Sequence, residues 1–96
     1  MPKPKEEEVR RGQNAERILN DELFKDSFTY LRNLYLTEWE NSPVRDPEGR
    51  ERLWLAIKIL ATVENHITTI METGKLADRQ LEELIKEVSV GRGVAN

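Results

Sequence analysis

His66 is the only histidine in this 96-residue chain, and there is no cysteine, so any metal site or nucleophilic centre would have to be built on it. Di-iron helical bundles set a glutamate and a histidine three residues apart on one helix. The residue three before His66 is Val63, and Glu64, two away, projects at a wide angle on a helix. Paired carboxylates are frequent (Glu7/Glu8, Asp21/Glu22, Glu48/Glu51, Glu82/Glu83), but Lys or Arg flanks them, the pattern of a solvated helix face. Among the hydroxyls of Ser27, Thr62, Thr68 and Thr69, only Thr62 and Thr69 lie within helical reach of His66. A Thr–His contact without a third, orienting group is not a triad. Gly91-Arg92-Gly93 matches neither a Walker nor a dinucleotide fingerprint, and no strand precedes it. The expectation is a non-enzymatic protein with no catalytic residues, no cofactor and no metal.

Basic residues give a second kind of chemistry. Lys3, Lys5, Arg10 and Arg11 gather near the N-terminus, and Arg45, Arg50 and Arg52 gather in mid-chain. Glu6 to Glu8, Asp46, Glu48 and Glu51 interleave with them, and the formal net charge is −3. Lys3, Lys5, Arg10 and Arg11 are therefore candidate nucleic-acid contacts, with weak, salt-sensitive binding expected at most. No helix-turn-helix spacing supports groove recognition.

The elements that must position these residues are helical. Asp46-Pro47 reads as an N-cap with proline at the first helical position. From there Leu53, Ala56, Ile57, Leu60, Val63, Ile67, Ile70 and Met71 recur at three- and four-residue steps. Thr73-Gly74 reads as the end of that helix, with Gly74 in the left-handed C′ conformation. Asn20-Asp21-Glu22 opens a second helix, to about Asn41, with Phe24, Phe28, Leu31, Leu34, Tyr35 and Trp39 on one face; Ser42-Pro43 closes it. The short connection implies antiparallel neighbours. Leu31, Leu34, Leu60, Val63 and Ile67 are expected to be buried between the arms.

Gly12 reads as a break, and Asn14 as the cap of a short helix, Ala15 to Leu19, docked on the hairpin. Asp78 reads as the N-cap of a final helix through about Val88, carrying Leu81, Leu84, Ile85 and Val88. The expected fold is thus all-α, an antiparallel helical hairpin with short flanking helices at both ends. Residues 1–13 form a flexible charged arm, 14–88 the hairpin domain and 89–96 a flexible tail.

Hydrophobic residues make up 38% of the chain and charged residues 34%, which suits a thin core under a solvated surface. The longest apolar run, Leu53 to Ile57, falls far short of the roughly 20 residues of a membrane span. With no signal peptide or disulfide framework, a soluble intracellular protein is expected. A second stripe on the long helix, Leu55, Ile59, His66 and Ile70 with Trp54 at its edge, exceeds what one partner helix covers. Those five residues form the candidate protein interface, with a homo-oligomer as the first occupant and another protein as the second. Protonation of an interfacial His66 would bury a charge, so acid is expected to loosen such an assembly. Trp39 and Trp54 either close the core at the hairpin's turn or anchor a partner there.

Four groups of residues carry a family resemblance: Ala15-Glu16-Arg17-Ile18-Leu19; Trp39-x-x-Ser42; Asp46-x-x-x-Arg50-Glu51-x-Leu53-Trp54; and Glu72-x-Gly74-Lys75-Leu76-Ala77. From about Ala15 to Ala77 the chain resembles small all-helical proteins of tailed phages and prophages, encoded in the virion-assembly region and without a settled activity. The resemblance implies a role in virion assembly in the host cytoplasm and brings no catalytic residue with it. Two other classes compete. One is a small terminase-like DNA-packaging subunit, the other an inhibitor that binds a host protein.

Overall fold

The structure is a computed structural model that describes residues 4–95, and their side chains as far as 89. It is all-helical over the described residues, in the order α1 (Lys5–Leu19), α2 (Glu22–Asn41) and α3 (Pro47–Ala95). The chain divides into two units, one of Met1–Arg17 with Thr68–Asn96, the other of Ile18–Ile67.

In the first unit, α1 starts where the Pro4 carbonyl accepts from the N–H groups of Glu7 and Glu8 at 3.0 and 3.1 Å. Glu6, Glu7 and Glu8 in its first turn and Arg17 in its last complement the helix dipole. The expected break at Gly12 is absent, because α1 runs straight through it. Asn14 is correspondingly an interior residue that accepts from Arg17, not a cap. Of the expected 1–13 arm, Lys5 to Gln13 belong to α1, and residues 1–3 lie outside the described residues. Gly12 and Ala15 are its buried residues.

The largest departure from expectation is at Gly74. No glycine has positive φ among the described residues, and α3 continues through Gly74 and Asp78 to Ala95. The expected C-cap at Gly74 and the separate helix capped by Asp78 are thus replaced by one 49-residue helix, which also takes in 89–95 of the expected flexible tail. Its register explains this. Leu53, Ala56, Leu60, Val63, Ile67, Ile70, Gly74, Ala77, Leu81, Leu84 and Val88 alternate steps of three and four without interruption. That is one heptad seam, in which Gly74 and Ala77 are its smallest members.

Their smallness sets the crossing of α1 on α3. A Cβ added to Gly12 would lie 2.7 Å from the Cα of Gly74 and 3.2 Å from the Ile70 carbonyl oxygen. One added to Gly74 would lie 2.6 Å from the Cα of Gly12 and 2.9 Å from the Glu8 carbonyl oxygen. The two backbones are in contact, with Ala15 and Ala77 buried beside them. Lys5 donates to Gln80, and Lys75 pairs with Glu16 at 4.0 Å, on the margins of the same contact.

In the second unit, α2 begins with Asp21 as N-cap, its carboxylate accepting from the Phe24 N–H at 2.9 Å. Asp46 does the same for α3, accepting from Gly49 N–H at 3.0 Å. Ser42, in extended conformation before Pro43, ends α2. As residue number falls along α2 from Trp39 to Arg32, its partner on α3 rises from Arg50 to Glu64. Phe24 and Phe28 stack with ring centroids 4.5 Å apart. Leu31, Leu60 and Ile67 are half-buried, but Leu34 and Val63, expected inside, are exposed. They sit at the edge of their stripes, where a single neighbouring helix does not reach.

Candidate functional site

The best-built polar cluster lies at the α2–α3 connection. Arg50 Nη1 donates to Ser42 Oγ at 2.9 Å, to the Ser42 carbonyl at 3.2 Å and to the Trp39 carbonyl at 3.3 Å. Ser42 Oγ itself donates to the Trp39 carbonyl at 2.6 Å. The guanidinium also stacks 4.6 Å over the Trp39 ring. These bonds satisfy carbonyls that every helix C-terminus leaves without intrahelical partners. The bonds shown for Arg50 Nη1 and Ser42 Oγ all return to the turn itself, so the cluster acts as a turn clamp. Trp39 is half-buried under the Arg50 guanidinium. Trp54 is 49% exposed, with Lys58 Nζ 5.2 Å from its ring centroid.

The candidate nucleic-acid contacts are dispersed. Lys3 lies outside the described residues, Lys5 donates to Gln80, and Arg10 and Arg11 are exposed on α1. His66 is exposed, and no group of three His, Asp or Glu that could hold a metal ion occurs among the described residues. Grooves along the α1–α3 crossing hold about 230 Å³ (Val9, Gln13, Met71, Asp78 among their walls) and 150 Å³ (Glu8, Arg11, Thr69, Ile70, Thr73). Both are smaller than the roughly 300–1,000 Å³ of typical small-molecule sites. No described helix is long and apolar enough to cross a membrane.

What remains is apolar surface. Fourteen large apolar side chains among the described residues are exposed, and no large side chain is fully buried; Ala15 and Ala77 are the buried apolar residues. The candidate interface residues separate. Leu55, Ile59 and His66 are exposed with Trp54, whereas Ile70 is half-buried beside α1. On α2 the sequence sets Tyr30 and Leu36 outside the core stripe, and both are exposed; it passes over Leu23 and places Leu34 inside, although Leu23, Tyr30 and Leu34 recur at seven and four residues and all are exposed. That spacing was legible. The larger aromatic stripe beside it drew the assignment instead.

No family model, no characterised protein and no solved structure matches the chain.

Proposed function

We propose that this chain is a non-enzymatic assembly protein of a tailed phage or prophage, working by pairing its helix faces with other proteins. In this reading α2 and the first part of α3 form an antiparallel hairpin that serves as the docking platform. One observation carries it: among the described residues fourteen large apolar side chains are exposed while no large side chain is fully buried. Apolar area left in water forfeits about 25 cal/mol per Å², and contiguous patches of several hundred Å² on soluble proteins mark interaction sites. The virion-assembly role rests on the resemblance over Ala15 to Ala77.

The test is genetic. In-frame deletion of the gene from a phage that encodes it is expected to stop particle formation, counted by electron microscopy of lysates. Normal yields of filled particles would overturn the assembly role. Complete shells empty of DNA would place the chain in packaging instead.

A further inference from the structure

The two units bury very different kinds of side chain. From Lys5 to Arg17, the part of α1 that belongs to the first unit, Val9 is the single large apolar residue, and it is half-buried. The buried residues of α1 are Gly12 and Ala15. In the second unit α2 alone keeps Phe24, Phe28, Leu31, Tyr35 and Trp39 half-buried. Apolar burial is the main favourable term in packing, and α1 has little of it.

Polar contacts do not make up the difference. Lys75 reaches Glu16 at 4.0 Å with both side chains about half exposed, and Lys5 donates to Gln80 at an exposed site. Exposed pairs of this kind contribute little. Helix α1 is 15 residues long with a glycine in its interior, and isolated helices of about 12–15 residues are marginal in water. Once off α3 it has nothing to keep it helical.

We infer that α1 is a releasable strap: Lys5 to Arg17 lifts off α3 and loses its helix while the second unit stays folded. What it uncovers is specific. Ile70 and Gly74 lie under Gly12, close enough that an added Cβ would collide with them, and Ala77 is buried beside them. Leu81, Leu84 and Val88 continue the same three- and four-residue steps along α3, and Leu84 and Val88 are already exposed. Release therefore joins a covered and an open half of one seam into an unbroken stripe from Ile70 to Val88. Small residues suit such a device. They bury little area, so opening forfeits little, while backbone contact at Gly12 and Gly74 fixes where the strap closes. Helix α3 continues from the second unit, so its later half needs no new nucleus to stay helical when α1 leaves. The strap is independent of the assembly role.

Native-state amide hydrogen exchange on the purified full chain, read by mass spectrometry of its peptides, tests this. Amides of Val9 to Arg17 are expected to exchange at least about tenfold faster than those of Asp26 to Trp39, as openings smaller than global unfolding do. Amides of Ile70 to Gln80 on α3 are expected to stay slower than those of α1. Gly74→Ala, whose Cβ would meet the Gly12 Cα at 2.6 Å, is expected to speed α1 exchange a further 30-fold or so, roughly the effect of overpacking, and to leave α2 unchanged. Val9→Thr keeps the side-chain shape and a similar helix propensity. It is expected to act in the same direction by about fivefold, through the hydroxyl it buries, and serves where the alanine variant fails to fold. Equal protection of α1 and α2 in wild type, or variants that speed both helices alike, would make the chain one cooperative unit and overturn the inference. Exchange of Ile70 to Gln80 at the α1 rate would also overturn it, since the first unit would then melt as a whole.

Discussion

The α1–α3 crossing and the α2–α3 pairing solve the same problem with opposite materials. At the crossing, Gly12 and Gly74 let backbone meet backbone, and Ala15 and Ala77, one turn on from each, are buried. In the pairing, Arg32–Glu64 and Arg50–Trp39 link the helices, and the large side chains of Phe24, Phe28, Leu31, Tyr35 and Leu60 stay half-exposed. Small residues give a contact with no slack, closed to a further helix. Large ones leave flanks that still have area to bury. The difference teaches where this chain tolerates change and where it can accept a partner.

The sharpest way to break the comparison is Gly74→Ala. In an open helix this change stabilises by about 0.5–1 kcal/mol. Here the new Cβ meets the Gly12 backbone at 2.6 Å, which no side-chain rotation relieves. Destabilisation of about 2–3 kcal/mol is expected, as for overpacked cores, read from urea unfolding. A stabilised variant would show that the crossing is loose.

Leu60→Ala addresses the other region. Large-to-small changes in closed cores cost about 2–5 kcal/mol; Leu60 is only half-buried, so the lower end, about 2 kcal/mol, is expected by the same denaturation measurement. A cost near 5 kcal/mol would mean that the α2–α3 pair is covered more completely than the single chain provides.

Arg50→Ala comes next. It removes three hydrogen bonds and a stacked cation from the turn, at about 1–2 kcal/mol by the usual worth of such contacts. Arg50→Lys should recover little, because an ammonium lacks the planar guanidinium that lies over the Trp39 ring. Equal thermal midpoints for Lys and wild type would reduce the clamp to a point charge.

Much of the second unit was legible in the sequence. Asp21 and Asp46 cap their helices as their positions before an acidic turn and before Pro47 imply. Ser42-Pro43 ends α2 for the reason that any residue before proline leaves the α region. Gly12 and Gly74 were misread for a shared physical cause. A glycine between helical stretches is compatible with a terminus or with a close helix crossing, and propensity favours the first. Two signals pointed to the second: the unbroken heptad steps across Gly74, and the matching Gly-x-x-Ala spacing at Gly12/Ala15 and Gly74/Ala77. Several residues that carry the phage resemblance recur in these structural parts: Trp39, Ser42, Asp46 and Arg50 build the turn, while Ala15, Gly74 and Ala77 build the crossing. The pattern therefore speaks to how the chain folds, and the exposed stripes, which carry the functional proposal, lie largely outside it.

The smallest expected effect is at the Arg32–Glu64 ion pair, which links α2 to α3. Its side chains are 41% and 30% exposed, so water screens the pair and both long side chains lose freedom in holding it. A double-mutant cycle of Arg32→Ala and Glu64→Ala should give a coupling of about 0.2–1 kcal/mol at low salt. Near 1 M salt, where the screening length falls to about 3 Å, it should fade. The same cycle discriminates between a solvated edge and a covered one. If a further helix covered this pair, coupling would survive salt and exceed the exposed-pair range. Arg32 stands on the side of α2 away from Tyr30 and Leu34 on a 3.6-residue helix. Salt-sensitive coupling is therefore the outcome that fits a pair at a solvated edge, and a salt-resistant coupling would mean that the edge is covered.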